Sequence, residues 1–165
     1  MFNPFKKFKE PKILASRASQ TTDPEKAARL FSAAIRYEKE KENPDKKFLS
    51  DIYLLRGEIY MARGEADLSS SDLQSSIELN PSNGIAHNDL AIWYTLEHFA
   101  PPDFRKALKH LNEAVEYCPD RRDFKMNRAI VKVKMGEKGT GKRELEQLLE
   151  DGYEEARVAI EKFCD

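Results

Sequence analysis

Histidines, cysteines and paired carboxylates are the side chains best equipped for metal, redox or proton-transfer chemistry, and this chain of 165 residues holds three His, two Cys and 29 acidic residues. Their spacing makes no catalytic pattern. His87, His98 and His110 lie on separate segments without the HExxH spacing that sets two imidazoles on one helix face for zinc. Cys118 and Cys164 show neither CxxC nor Cys/His ligand spacing, which supports neither a zinc site nor a disulfide framework and makes a reducing, cytoplasmic setting the expectation. No glycine-rich phosphate loop or nucleophile elbow occurs. Among so many Asp and Glu, close carboxylate pairs arise by chance and do not mark acid–base catalysis. The expectation is a protein that is no enzyme, with no catalytic residue, no metal site and no cofactor.

The elements that position these side chains must be helices. With 40% hydrophobic and 35% charged residues the chain suits one soluble domain, or a short array behaving as one. A formal net charge of −1 provides no global field to recruit nucleic acid. Most of the eight Pro and seven Gly fall between segments of helical periodicity, where helix stops belong. A small–large–small triplet at offsets of four and three recurs four times: Ala27, Phe31 and Ala34; Ser69, Leu73 and Ser76; Ala107, Leu111 and Ala114; Gly141, Leu145 and Leu148. Helices that cross closely need a small side chain at the crossing and a large one beside it. The last members of successive triplets are 42, 38 and 34 residues apart. The excess over 34 comes in about one-turn steps, which keep an apolar stripe near its seam.

Taken in order, residues 1–11 form an arm in which Phe2, Phe5 and Phe8 alternate with Lys6, Lys7 and Lys9. Two readings are open: an anchor on an anionic membrane surface, with Lys12 included, or a frayed or folded-back terminus. Liposome flotation with and without residues 1–10 separates them. No export signal is expected, and no run of eighteen apolar residues occurs. A short helix is expected over 12–20, then a second that opens at Thr22-Asp23-Pro24-Glu25 with Glu25 placed for a capping box. It ends in the run EKEKENPDKK, read as a solvated face. Ile52, Leu55, Ile59 and Tyr60 form the next stripe, closed by a turn at Gly64. The hydroxyls of SSSDLQSS, where Ala is usual, read either as a thin helix–helix contact or as small serines that bond back to the preceding turn. Trp93 is expected in the core. Pro101-Pro102 stiffens a loop whose flanking Phe99 and Phe104 either contact a partner or pack inward. The GEKGTG stretch reads as a flexible turn.

Gly57, Tyr60, Gly64 and Pro81 in residues 50–83 sit where a tetratricopeptide repeat places its small, aromatic, turn and terminating residues, so the chain resembles a small tetratricopeptide-repeat protein. The resemblance implies an all-α, right-handed superhelix of three to four helix–turn–helix repeats at about 12–47, 48–83, 84–121 and 122–155 in one domain, 12–165, with a capping helix at 153–165. Departures are Ala91 at a position usually Gly, an insertion in the third repeat, and Lys132 where Tyr is common. It further implies a concave groove lined by Asp51, Leu54 and Glu58, by Asn88, Ile92 and Thr95, and by Met126, Ile130 and Val133. Residues that clamp chaperone carboxylates in some members are absent: Leu54, Glu58, Asp89, Asp123 and Asn127 stand in those places. A protein or peptide partner, an apolar segment carrying basic residues, is expected, with no nucleic acid and a membrane surface open through residues 1–12. The arm itself has that composition and is a candidate groove occupant. An adaptor or scaffold fits this reading; a chaperone or neutralising partner for a secreted or toxic protein, or a peripheral membrane scaffold, is the alternative.

Overall fold

Asp and Asn open four of the helices. In the computed structural model, which describes residues 10–164, Asp23 caps α2 (Pro24–Lys39), accepting from the amides of Glu25 at 3.0 Å and Lys26 at 3.2 Å. Asp45 caps α3 (Lys46–Ala62), Asn83 caps α5 (Gly84–Thr95) and Asp103 caps α6 (Phe104–Tyr117), each taking an amide that the helix leaves without an internal partner. The expected Thr22/Glu25 capping box is not formed. Pro24 has no amide to offer, so Asp23 reaches the next two directly. The other helices are α1 (Pro11–Gln20), α4 (Ala66–Leu79), α7 (Arg122–Lys134), α8 (Lys138–Glu150) and α9 (Glu155–Phe163), and the described residues contain no strand. The basic, aromatic arm lies outside the described residues up to position 9.

The chain divides at Pro81/Ser82 into two compact units. In the first, α1 to α4 pack each against the next. Leu14, Ala18, Phe31, Ala34, Leu49 and Ile52 meet in its core. A buried ion pair supplements the apolar packing: Arg56 on α3 donates twice to Asp72 on α4, both at 2.7 Å, and once to Ser32 Oγ on α2 at 2.8 Å. Glu38 departs from the solvated face expected for the charged run, being 1% exposed. It accepts from Lys41 Nζ at 2.7 Å and from the Asp45 amide at 2.9 Å, tying the end of α2 to the start of α3. In α4, Ser75 and Ser70 bond back to Ser71 O and Asp67 O. Ser76 does something else. Its Oγ meets Ser50 Oγ across the α3–α4 crossing at 3.0 Å.

In the second unit, Ala91, Ala107, Leu111 and Val131 form one core, and Ala129, Leu145, Leu148, Ala156 and Ala159 a second under α9. All four small–large–small triplets are buried. Gly141 shows why its place is small: a Cβ there would stand 2.6 Å from both Ala129 O and Val133 Cγ2 on α7. The GEKGTG stretch is not a loop throughout. Only Gly136 turns the chain, at φ 91°, while Gly139 and Gly141 are already in α8. Lys132, in place of the expected aromatic, and Arg128 share Glu144. The loop after α5 folds inward: Phe104 packs on the core beside Ala107, Phe99 lies 6.2 Å from Trp93, and the Asp103 amide donates to Tyr94 O at 2.9 Å. Trp93 is half-buried, edge-on to Tyr94 at 5.2 Å, rather than enclosed in the core.

Candidate functional site

On α3, three consecutive residues after Asp51 are buried, and this places the two adjacent leucines oppositely to the sequence reading. Leu54 is 7% exposed and Leu55, read as part of the buried stripe, is 38% exposed. Leu55 lines an open depression of 370 Å³ with Glu58 and Ile59 of α3 and with Ala18, Pro24, Ala27 and Phe31 from α1 and α2. The depression is apolar, with Thr21, Thr22 and Ser19 adding hydroxyls and Glu58 the one acidic group among its lining residues. Asp51 is exposed on the same helix. Its carboxyl is held above the usual value by partial burial and by Asp45, against the opposing pull of Lys47.

A second, smaller depression of 70 Å³ lies between α5 and α7, lined by Ala91, Ile92 and Thr95 and by Asn127, Ile130 and Lys134, with Leu111 and Val131 below. It brings together three of the expected groove residues, Ile92, Thr95 and Ile130. Thr95 Oγ1 is turned to its own helix, donating to Ile92 O at 2.7 Å. Asn88 is buried and accepts from Asn127 Nδ2 at 3.0 Å, pinning α5 to α7. Met126 and Val133 take other places. Met126 packs on the core under α9, and Val133, buried, faces Gly141 at the α7–α8 crossing. Asp89 and Asp123, at the expected positions of a carboxylate clamp, bring negative charge rather than a cationic grip. Asp123 pairs with Arg121 at 2.8 and 2.6 Å, and that bond holds its carboxyl below the ordinary value.

A third arrangement follows no local sequence motif. His87 on α5 and His110 and Glu113 on α6 converge: His87 Nδ1 is 3.0 Å from His110 Nδ1 and 2.9 Å from a Glu113 oxygen, and His110 Nδ1 is 3.4 Å from the same oxygen. Tyr94 stacks on His110 at 5.9 Å with the rings 9° from parallel, and Tyr117 lies 5.8 Å from His87. Burial and the adjacent His87 hold His110 below the ordinary imidazole value, against the opposing pull of Glu113. The one signal in the sequence was His110-x-x-Glu113, an i,i+3 pair that a helix sets on one face.

No known family model matches the chain, and no curated protein matches its sequence. Solved structures do. A crystal structure of MamA superposes with a TM-score of 0.72 at 15% identity, covering 93% of this chain and 85% of that one. TTC0263, a thermophilic TPR protein of Thermus thermophilus, gives 0.67 at 16% identity over 91% of this chain and 79% of that one. This chain has a tetratricopeptide-repeat fold. YrrB, described as a TPR protein with an unusual peptide-binding site, gives 0.60 at 16% identity, covering 85% of this chain and 64% of its own. The tetratricopeptide fold accounts for the paired helices and buried triplets; at these identities it carries no function with it. Among the described residues no helix is long and apolar enough to cross a membrane.

Proposed function

We propose that this chain is a non-catalytic interaction module, an adaptor or scaffold, that docks an apolar protein segment bearing Lys or Arg. The observation that carries the reading is the depression beside α3, where Leu55 is left 38% exposed among Phe31, Ile59 and Pro24. An isolated exposed leucine needs no explanation; one that lines an open apolar depression offers a place for another side chain. Burying one leucine-sized group there contributes about 1.5–3 kcal/mol. Glu58, with Asp51 about two turns earlier on α3, favours a basic over an acidic segment, since like charge across an interface selects against the wrong partner. The fold shared with a TPR protein described as peptide-binding supports this class of ligand.

Fluorescence anisotropy of labelled peptides on the full chain tests the proposal. Peptides alternating Leu with Lys are expected to bind, and those alternating Leu with Glu to bind at least about tenfold more weakly, the equivalent of 1.4 kcal/mol. Leu55→Lys, at a site open enough to keep the chain folded by circular dichroism, is expected to abolish the difference. Equal binding of both series, or binding unaffected by Leu55→Lys, rejects the proposal.

A further inference from the structure

We propose that His87, His110 and Glu113 form a binding site for a divalent transition-metal ion, with Zn²⁺ the best fit, that clamps α5 to α6. Three donor atoms converge within 4.8 Å of one another. Their separations of 3.0, 2.9 and 3.4 Å make a compact triangle. Tetrahedral zinc with bonds of about 2.0–2.1 Å has donor–donor edges of about 3.3 Å, so each edge lies within a few tenths of an ångström of what the ion requires. A point about 2 Å from all three atoms lies about 1 Å off their plane, as an ion with a fourth ligand on its open side does.

The chemistry of the donors agrees with the geometry. Two imidazole nitrogens and one carboxylate oxygen suit Zn²⁺ and its first-row neighbours better than Mg²⁺ or Ca²⁺, which take oxygen ligands. Burial is graded. The His87 and His110 side chains are 5% and 18% exposed, while Glu113 is 32% exposed, so the two rings are fixed in the α5–α6 contact and the carboxylate side stays open to solvent. That leaves room for water, or for a side chain of a bound partner, as fourth ligand. Tyr94 stacks on the His110 ring and Tyr117 lies 5.8 Å from the His87 ring, which limits how the two imidazoles can turn. The site is independent of the proposed peptide depression beside α3.

The test uses the full chain without a histidine tag, freed of metal by chelator. Zn²⁺ alone, added in competition with a chromogenic chelator, is expected to bind one ion per chain and to raise the midpoint of thermal unfolding as its concentration rises. Co²⁺ alone is expected to give the intense visible bands of a tetrahedral site. His110→Gln and Glu113→Gln, both at partly exposed positions, should weaken binding at least about tenfold and remove the bands, while His98→Gln leaves both unchanged. Circular dichroism confirms that each variant is folded. Absence of tetrahedral bands in the wild type, or retention of one tight site in His110→Gln, overturns the proposal.

Discussion

Gly139 and Gly141 stand two residues apart in the same helix and should respond to alanine in opposite senses. At Gly141 a new methyl meets the carbonyl of Ala129 and Val133 Cγ2 at 2.6 Å; the overpacking should cost about 1–3 kcal/mol. At Gly139 nothing lies within 4 Å, so alanine only restricts the unfolded chain and should stabilise by about 0.4–1 kcal/mol. Urea unfolding of the two variants reads both signs, and a stabilised Gly141→Ala would refute the close crossing. The Arg56–Asp72 pair yields a second residue-scale prediction. Its side chains are 16% and 6% exposed, so Asp72→Leu alone strands a guanidinium and should cost about 3–5 kcal/mol. The double variant Arg56→Met, Asp72→Leu should recover most of that loss, because two apolar groups leave no charge without a partner. Double-variant stability no better than the single would contradict this. Much at this scale was legible in the sequence, since size alone fixes the triplets such as Ala107, Leu111 and Ala114. The adjacent Leu54 and Leu55 were not, because α3 carries apolar residues on more than one side and only its neighbours decide which leucine is covered.

At the scale of the element, the helix starts carry their own chemistry. Asp23 holds two amides, and Asp23→Ala should lower stability by about 1 kcal/mol in thermal or urea unfolding, with Asp23→Asn close to wild type. Equal loss in both variants would show that charge, not the acceptor oxygen, is what the cap provides. Asp103 has its carboxyl held below the ordinary value of 3.8, chiefly by the Lys106 amide. A depressed folded-state value stabilises fully above the ordinary one, so the contribution of this cap is present at neutral pH and is lost as pH falls below 3.8 through the depressed value. Starts at Asp45, Asn83 and Asp103 follow a proline directly or one residue further on, which made the boundaries readable. Longer-range arrangements left less trace. The charged run hid Glu38, whose burial depends on the Asp45 amide seven residues on. The His87, His110 and Glu113 cluster comes from two helices, and a gap of 23 residues between histidines matches no local motif.

For the whole molecule, the repeat reading carried the fold, because Gly57, Gly64 and Pro81 mark one unit and its triplet recurs on either side. Binding sites are less legible: they depend on which apolar residues the packing leaves uncovered, and packing reassigned Leu55 to the surface and Val133 to the α7–α8 crossing. The central claim, that an apolar and basic segment docks beside α3, is tested most directly by titrating a Leu/Lys peptide into isotope-labelled protein, feasible by NMR at 19.0 kDa. The account predicts that the largest amide shifts cluster at Thr22, Phe31, Leu55, Glu58 and Ile59. Shifts confined to other surfaces, or none at saturating peptide, would contradict it.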